Sequence, residues 1–378
     1  MNFKVGLYQL NNNANYNFQL NRLINWDGGD LSEIKDISEK IKTNSDWKNE
    51  LIKLADKALE EERFENAIAY YRMSEFFMAD DDKDKLKYYK KAKKLFYSYY
   101  DEYFKSGQVL RTFVPYENIK LPVLYTEGEN EKRGTIIFHG GNDSYIEELF
   151  FPMLYFSKHG YDVYLFEGPG QGGILREQGV KFTHKWELPV GALLDYFRLE
   201  DVIIIGVSLG GMLAPRAAAF EKRIKKVVAW SIFPNFLDVA LEKLKGSLKI
   251  FFKFMLKVKG KHLINYILNK KIEKDVFYRW VFEHGMYAYG ANSPYDYINK
   301  LNDFQITNIA DRIDQDILIL HGMDDHFIHW KLYKDEIDRL INARSITLRL
   351  FTDKEEASNH CQCGNTKLVL DTIMNWLM

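Results

Sequence analysis

Cysteine, net charge and long apolar runs are all scarce in this sequence, and each shortage excludes a class of protein. Only two cysteines occur among 378 residues, Cys361 and Cys363, which are too close together for a loop-closing disulfide. This usage favours a reducing, cytoplasmic compartment. No apolar run approaches the roughly 20 residues that cross a bilayer, and the first residues lack an apolar signal segment. A formal charge of -1 gives no electrostatic reason to bind nucleic acid or an anionic membrane.

The first part of the chain has a helical pattern with almost no strand signal. The segment Glu61–Tyr71 resembles half of a tetratricopeptide-type hairpin, but a single repeat-like unit cannot form an independent core. We therefore predict a helical N-terminal lobe over residues 1–107 that packs on the rest of the chain. Aromatic residues exposed on this lobe could form a homodimer face, although the sequence leaves the oligomeric state open.

Residues 108–378 alternate strands with helices and are predicted to form an α/β domain. An antiparallel hairpin comes first, and strongly apolar strands with helical crossovers follow it, which indicates a mostly parallel sheet covered on both faces. The predicted strands cover residues 109–114, 121–126, 134–138, 161–166, 201–205, 226–232, 316–320 and 345–351.

This alternation is interrupted over residues 234–314 by helical, aromatic-rich sequence. An insertion at this point would lie above the carboxyl ends of the strands, where open α/β sheets bind their ligands. We therefore predict a helical lid. Its aromatic side chains could line an apolar pocket or form the core of the lid itself.

A glycine-rich turn holds the candidate nucleophile. Residues Gly206–Gly211 follow an apolar strand and precede a helical stretch, with Ser208 at the centre of a Gly-x-Ser-x-Gly pattern. In a nucleophile elbow, glycines on both sides of the serine allow the tight turn that exposes its hydroxyl. Ser208 is therefore the candidate nucleophile.

A serine nucleophile needs a base and a carboxylate that orients the base. Strand 316–320 runs into adjacent acids, Asp324 and Asp325, and strand 345–351 runs into a loop that holds His360. The order serine, acid, histidine and the position of each at a strand end are those of a catalytic triad built on a parallel sheet. His360 is the candidate base, and both acids remain candidates at this point.

A second glycine turn, His139–Asp143, follows strand 134–138 and could stabilise an oxyanion. A tetrahedral intermediate requires preorganised N–H donors. The candidates are the backbone amides of Leu209, which follows the serine, and of Gly141, with Asn142 as the nearest alternative.

Together these motifs resemble the α/β-hydrolase superfamily over about residues 109–378. Within it they resemble the branch that includes the fermentation-respiration switch protein and 2,6-dihydroxypseudooxynicotine hydrolase, because of residues 167–172, 325–328 and 360–362. The family spacing of glycine and acid selects Asp325 and leaves Asp324 as second choice. The resemblance permits hydrolysis of a carbon–carbon bond in a diketone-like substrate. One relative also uses an acidic residue from its lid, but no motif assigns that role to Asp238.

The resemblance implies a serine hydrolase that acts on a small-molecule carbonyl substrate without a cofactor. Ester, thioester, amide and carbon–carbon cleavage share this machinery, so the bond that is cleaved stays open. The alternative is a catalytically idle binding protein whose helical lobe docks a partner. A metal site is not favoured, because the spacing of His326 and His329 differs from that of a helical zinc pair.

Overall fold

The first helices of the chain end just before the sheet begins. A computed structural model describes residues 3–231, 233–242, 244 and 246–378. Helix α3 begins with a capping box, in which the Thr43 hydroxyl accepts from the Asp46 N–H and the Asp46 carboxylate accepts from the Thr43 N–H. The helices before the sheet are α1 (Ala14–Asn25), α2 (Leu31–Ser38), α3 (Asn44–Glu60), α4 (Phe64–Ser74), α5 (Lys83–Tyr99) and α6 (Asp101–Lys105).

The described strands form one eight-stranded sheet in the order β1-β2-β4-β3-β5-β6-β7-β8. The hairpin strands β1 and β2 pair antiparallel, β2 pairs antiparallel with β4, and the other neighbours are parallel. The predicted α/β architecture with a mostly parallel sheet is therefore confirmed. The strands are β1 (Leu110–Tyr116), β2 (Ile119–Thr126), β3 (Gly134–His139), β4 (Tyr161–Phe166), β5 (Val202–Val207), β6 (Ile224–Trp230), β7 (Asp316–Gly322) and β8 (Ser345–Phe351).

Helices cover both faces of this sheet because side chains alternate along each strand. In β5, Ile204 packs in one hydrophobic cluster, while Ile203 and Ile205 pack in the cluster on the opposite face. The remaining helices are α7 (Phe150–Lys158), α8 (Gly172–Gln178), α9 (Glu187–Phe197), α10 (Gly210–Phe220), α11 (Phe236–Leu241), α12 (Gly246–Lys257), α13 (Lys261–Lys274), α14 (Val276–Tyr289), α15 (Pro294–Leu301), α16 (Leu332–Ile337) and α17 (Thr366–Leu377).

Helices α11–α15, here called the inserted helices, lie in the chain between β6 and β7. They occupy the segment predicted as a lid. An isolated antiparallel bridge joins Asn235, the residue before α11, to Gln305, which follows α15. The sequence also predicts a helix over 330–340, whereas α16 covers only Leu332–Ile337, because the N–H groups of Arg339 and Leu340 bond to carbonyls three residues back. None of the described helices has the length and apolarity that a membrane span requires.

The helices α1–α6 have a core of their own and also contact the sheet domain. Trp47, Tyr70 and Tyr71 are among the fully buried side chains of this third cluster, and Trp280 of α14 packs into it. Near the chain start, the Gly6 N–H donates to the Gly364 carbonyl at 2.9 Å. The division of the chain into units at 107/108, and the role of the inserted helices as a lid, stay predictions.

Candidate active site

Ser208 lies in the tight turn between β5 and α10. Its φ of +62° is in the left-handed region, and its N–H donates to the Trp230 carbonyl at 2.8 Å. A β-carbon at Gly206 would lie 2.1 Å from the Gly210 carbonyl oxygen, so the turn can close only with glycine at that position. The sequence motif thus places the hydroxyl at the carboxyl end of a central strand, as in a nucleophile elbow.

Three side chains from distant parts of the chain meet at this turn. Ser208 Oγ lies 2.9 Å from His360 Nε2, and His360 Nδ1 lies 2.6 Å from Asp325 Oδ2. The second carboxylate oxygen of Asp325 accepts the N–H groups of Phe327 and Ile328, both at 2.9 Å. Two backbone N–H groups therefore hold Oδ1 of Asp325, and Oδ2 faces the imidazole of His360.

The two acids that the sequence offered have different surroundings. Asp325 is buried against His360, whereas Asp324 is exposed and its N–H donates to the Ser358 carbonyl. Burial alone would raise the pKa of Asp325, but the charge and hydrogen bond of His360 lower it to about 2. The second-choice acid is thus outside the cluster.

His360 is held in an environment that favours its charged form. Burial lowers its pKa, but the charge of Asp325, with Cys361 and the hydrogen bond to Asp325 acting in the same direction, raises the pKa well above 6.5. A histidine whose charged form is stabilised by a carboxylate is suited to act as a general base beside a nucleophile.

The turn that carries His360 is fixed by contacts that the sequence did not reveal. Cys361 and Gln362 both have positive φ, 51° and 50°. The Cys361 N–H donates to Ser231 Oγ at 3.2 Å, and its carbonyl accepts from Trp230 Nε1 at 3.2 Å. Two hydrogen bonds therefore hold the backbone just after His360 against the end of β6.

The loop His139–Ser144, here called the oxyanion loop, packs directly on the serine turn. A β-carbon at Gly141 would lie within 2.8 Å of atoms in Val207, Ser208 and Leu209. The N–H of Gly141, the donor expected from the sequence, is engaged within the loop, because it donates to Ser144 Oγ at 2.8 Å.

Two other amides near the serine are available as donors. Among the described residues, the N–H groups of Leu209 and Asn142 have no acceptor, and both residues line the same cavity as Ser208. Asn142, the alternative considered from the sequence, therefore takes the place of Gly141 as the candidate partner of Leu209.

A buried glutamine fastens the oxyanion loop to the loop after β4. Gln171 Nε2 donates to the carbonyls of Gly140 and Gly141 at 2.8 and 3.0 Å, and its Oε1 accepts from the Gly168 N–H at 2.9 Å. Gln171 belongs to the Gly-Pro-Gly-Gln-Gly motif, which supported the family resemblance but had no assigned role in the sequence. Its side chain has a positioning role at the site.

His139, the first residue of the loop, does not face the serine. Its ring lies between the Gly140 carbonyl, 3.0 Å from Nδ1, and Trp186 Nε1, which donates to Nε2 at 3.3 Å. Complete burial lowers its pKa to about 4, so the ring is neutral at physiological pH. His139 is therefore a structural residue of the loop.

An apolar cavity of about 280 Å³ opens above Ser208. Its walls come from α1, from the sheet domain and from the inserted helices. Representative lining side chains are Phe18 of α1, Trp26 just after α1, Phe327 beside the acid, and Phe236, Phe252 and Tyr297 from the inserted segment. This size is at the small end of ligand sites, which span roughly 300–1,000 Å³.

Two other ionisable residues do not take part in the contacts between Ser208, His360 and Asp325. Asp238 pairs with Lys253 at 2.6 Å and with Lys249 at 3.7 Å, and it does not line the cavity. His321 is buried beside Asp325, with 3.9 Å between Nδ1 and Oδ2. In the part of the chain that the structure describes, no three His, Cys, Asp or Glu side chains are grouped as metal ligands.

Comparison with known proteins gives the family. The model of the family described as alpha/beta hydrolase fold matches residues 136–354. Hydrolase acrC of Aspergillus aculeatus is 30% identical over 273 residues, covering 65% of this chain and 63% of that protein. The 20-hydroxy-prefusarin hydrolase FUS2 of Gibberella moniliformis is 28% identical over 210 residues, covering 51% and 49%. The chain thus spans between about half and two thirds of the length of these relatives.

Solved structures share the fold over nearly the whole chain. The 2,6-dihydroxy-pseudo-oxynicotine hydrolase has a TM-score of 0.64 at 20% identity and covers 94% of each chain. AbyA5 has a TM-score of 0.66 at 13% identity, covering 92% of this chain and 88% of its own. At these identities the likeness concerns the fold alone, and it includes the helices that precede the sheet.

Proposed function

The chain belongs to the alpha/beta hydrolase family, and from this membership we propose that it is a serine hydrolase acting on the carbonyl group of a small apolar substrate. The observation that carries the proposal is the pair of contacts at the floor of the cavity, 2.9 Å from Ser208 Oγ to His360 Nε2 and 2.6 Å from His360 Nδ1 to Asp325 Oδ2.

In the proposed reaction, His360 Nε2 takes the hydroxyl proton while Ser208 Oγ forms a bond to the carbonyl carbon. Asp325 holds the ring and stabilises the imidazolium. The imidazolium then gives its proton to the leaving group as the scissile bond breaks. The same imidazole then deprotonates a water that attacks the acyl carbon, and as the bond to Oγ breaks the imidazolium returns that proton to Ser208 Oγ, which releases the acid and restores the enzyme. With a β-diketone, His360 could instead activate water directly.

The N–H groups of Leu209 and Asn142 are the proposed donors to the tetrahedral oxyanion. Removal of one such donor costs about 2.7–4 kcal/mol of transition-state stabilisation. Gln171 and Ser144 support this role indirectly, because they fix the backbone that carries Asn142. A backbone that is held before the substrate binds supports this proposal, because an oxyanion hole is effective when its donors are preorganised.

The lining of the cavity supports an apolar or aromatic acyl group. Phenyl and aliphatic side chains make up most of the lining, which favours burial of an apolar group, while the charged residues Arg22, Asp143 and Lys271 also line the cavity. Ester, thioester, amide and carbon–carbon bonds remain open as the bond that is cleaved. The inserted helices are proposed to act as the lid that excludes water from this space.

Active-site labelling tests the proposal. A fluorophosphonate probe should label the folded wild-type protein and fail to label Ser208→Ala, because only an activated serine attacks phosphorus at an appreciable rate. Ser157→Ala is the matched control, since Ser157 is a buried serine whose hydroxyl donates to the Glu127 carbonyl away from the cavity. Hydrolysis of a panel of p-nitrophenyl esters should follow the same pattern.

Two results would contradict the proposal. Equal labelling of wild type and Ser208→Ala would assign the reactive group to another residue. A folded wild-type protein that resists the probe would favour the alternative, a hydrolase fold that binds a partner or ligand without catalysis.

A further inference from the structure

The outer side of α12 exposes large apolar side chains to solvent. Ile250, Phe251 and Phe254 are 72%, 38% and 58% exposed, and Val258, just after the helix, is 52% exposed. Among the described residues, seven of the eighteen exposed large apolar side chains lie between Leu248 and Tyr266. A single exposed apolar residue is normal on a protein surface, whereas a concentration of this kind marks an interaction surface.

The residues Ile250, Phe251, Phe254 and Val258, here called the apolar stripe, share one side of the helix. Positions 250, 254 and 258 are four residues apart and therefore lie one above the other. The Val258 N–H donates to the Phe254 carbonyl at 3.0 Å, so the helical turn continues to the end of the stripe. Phe252 is on the other side, where it is only 3% exposed and lines the cavity. Helix α12 is thus apolar toward the cavity and also toward solvent.

The segment that carries the apolar stripe is strongly basic. Residues 243–272 include nine lysines and no aspartate or glutamate, although the formal charge of the whole chain is -1. The near-neutral balance of the whole chain therefore does not describe this surface. Two of the lysines, Lys249 and Lys253, pair with Asp238. In the part of the chain that the structure describes, three exposed lysines of the segment form no ion pair, namely Lys257, Lys259 and Lys261.

An anionic bilayer surface is the partner whose chemistry matches both features. Interfacial helices bury their apolar side at the boundary between headgroups and acyl chains, while their lysines extend to the anionic headgroups. A second copy of the chain matches the apolar stripe only. A two-fold contact through this side would bring lysines against lysines, because residues 243–272 contain no acid to pair with them.

We propose that the apolar stripe and its neighbouring lysines dock the protein on the surface of an anionic phospholipid membrane. Because the opposite side of α12 lines the cavity through Phe252, docking brings the cavity close to the acyl region of the bilayer. Apolar carbonyl compounds dissolved in the membrane are then the substrates that this position serves. The docking does not depend on hydrolysis, whereas the delivery of a substrate rests on the proposed function.

Flotation of the full chain with lipid vesicles tests the docking. Wild type should bind vesicles of equimolar phosphatidylcholine and phosphatidylserine at least about tenfold more tightly than vesicles of phosphatidylcholine alone, and high salt should reduce this difference. Ile250→Ser/Phe254→Ser should lower the partition coefficient at least about tenfold, because two large side chains no longer enter the bilayer. Leu188→Ser/Tyr196→Ser, which replaces side chains of α9 that are 47% and 51% exposed, should bind as wild type does.

A second pair of variants tests the contribution of charge. Lys257→Gln/Lys261→Gln should weaken binding to the phosphatidylserine vesicles at least about tenfold and leave the weak binding to phosphatidylcholine unchanged. Lys90→Gln/Lys94→Gln is the matched control, since these exposed lysines of α5 have the same spacing and should not affect either partition coefficient. Equal losses in the two lysine pairs would overturn the assignment of the surface.

Further outcomes separate the docking from the proposed reaction. Ser208→Ala should float with the vesicles as wild type does. Flotation without turnover of any ester would support the docking and remove the reaction, whereas turnover without flotation would leave the reaction standing and overturn the docking. A dimer in sedimentation velocity that Ile250→Ser/Phe254→Ser converts to a monomer would also overturn it, because a second copy would then cover the apolar stripe.

Discussion

Asp325 is oriented by two backbone N–H groups from the turn that follows it, while the neighbouring Asp324 faces solvent. Adjacent acids of equal chemistry thus provide a matched pair of substitutions. Asp325→Asn should lower kcat on the order of 10³–10⁴-fold, because the amide favours the wrong imidazole tautomer and does not stabilise the imidazolium. Asp324→Asn should change kcat little. Steady-state kinetics on one ester decide, and a comparable loss in both variants would contradict the assignment.

The pH profile should report the environment of His360. Only the neutral imidazole accepts the Ser208 proton, so kcat/KM should rise with pH through a midpoint above 6.5, since Asp325 and Cys361 outweigh burial and raise the pKa of His360. In Asp325→Asn the midpoint should move down, because burial then acts without the opposing carboxylate. A wild-type midpoint at or below 6.5 would show that the ion pair does not control the base.

At the scale of single residues, the sequence predicts positions better than roles. Ser208 and His360 could be placed because each follows an apolar strand, and parallel strands end at the same edge of the sheet. Whether Gly141 is free to donate could not be predicted from the sequence in the same way. It depends on whether the hydroxyl of Ser144, three residues later, accepts its N–H. The cavity-lining side chains of the inserted helices were equally hidden, because no local pattern shows which helical side chain faces a cavity.

Between elements, one side chain joins the loop after β3 to the loop after β4. Gln171→Met keeps a side chain of similar shape but removes three hydrogen bonds, including the two that Gln171 donates to the carbonyls of Gly140 and Gly141. The free energy of unfolding should fall by about 1–3 kcal/mol. The value of kcat should also fall, by about tenfold, because the amide of Asn142 loses its support.

The control for this change is Gln178→Met. Gln178 also donates to a backbone carbonyl, that of Lys120 at 3.0 Å, but it is exposed at the end of α8. Denaturant unfolding and ester kinetics on both variants give the comparison. A stable but slow Gln171→Met would still support the positioning role, whereas full activity would contradict it.

Most elements of the sheet domain could be predicted from periodicity and turns. The hairpin, the parallel strands and the crossover helices all have local signals, whereas α16 was predicted too long. Its apolar pattern continues beyond Ile337, but the backbone bonds there follow a tighter turn. The sequence could not predict the packing of the inserted helices on the oxyanion loop, since that contact joins Tyr289 to Asn142 across 147 positions.

On the scale of the molecule, a buried ion pair joins α1 to the sheet domain. Arg22 donates from Nε and one terminal nitrogen to both oxygens of Glu148, at 2.6 and 2.7 Å, and Arg72 approaches the same carboxylate at 3.3 Å. Burial raises the pKa of Glu148, but the two guanidinium groups outweigh it and keep the carboxyl charged. The helices before the sheet are thus tied to the residues just after the oxyanion loop.

This pair should be costly to break from one side only. Arg22→Met should lower the free energy of unfolding by about 3–5 kcal/mol, because Glu148 loses its bidentate partner in a buried site. The double variant Arg22→Met/Glu148→Met should lose less than the sum of the two single variants. Denaturant titrations in a double-mutant cycle measure this coupling, and strictly additive losses would contradict it. Lys105→Met, in an exposed pair with Asp101, should shift stability by less than about 1 kcal/mol.

The cavity joins parts of the chain that are far apart in sequence. The ring of Phe18 lies 5.9 Å from that of His360, and Cys363 lines the same space. The wall at Phe18, the proposed nucleophile Ser208 and the proposed base His360 therefore leave the ribosome in that order, so a growing chain carries an unactivated hydroxyl until residue 360 has emerged. A translation product that stops before position 360 should therefore lack the proposed activity, however well the preceding residues fold.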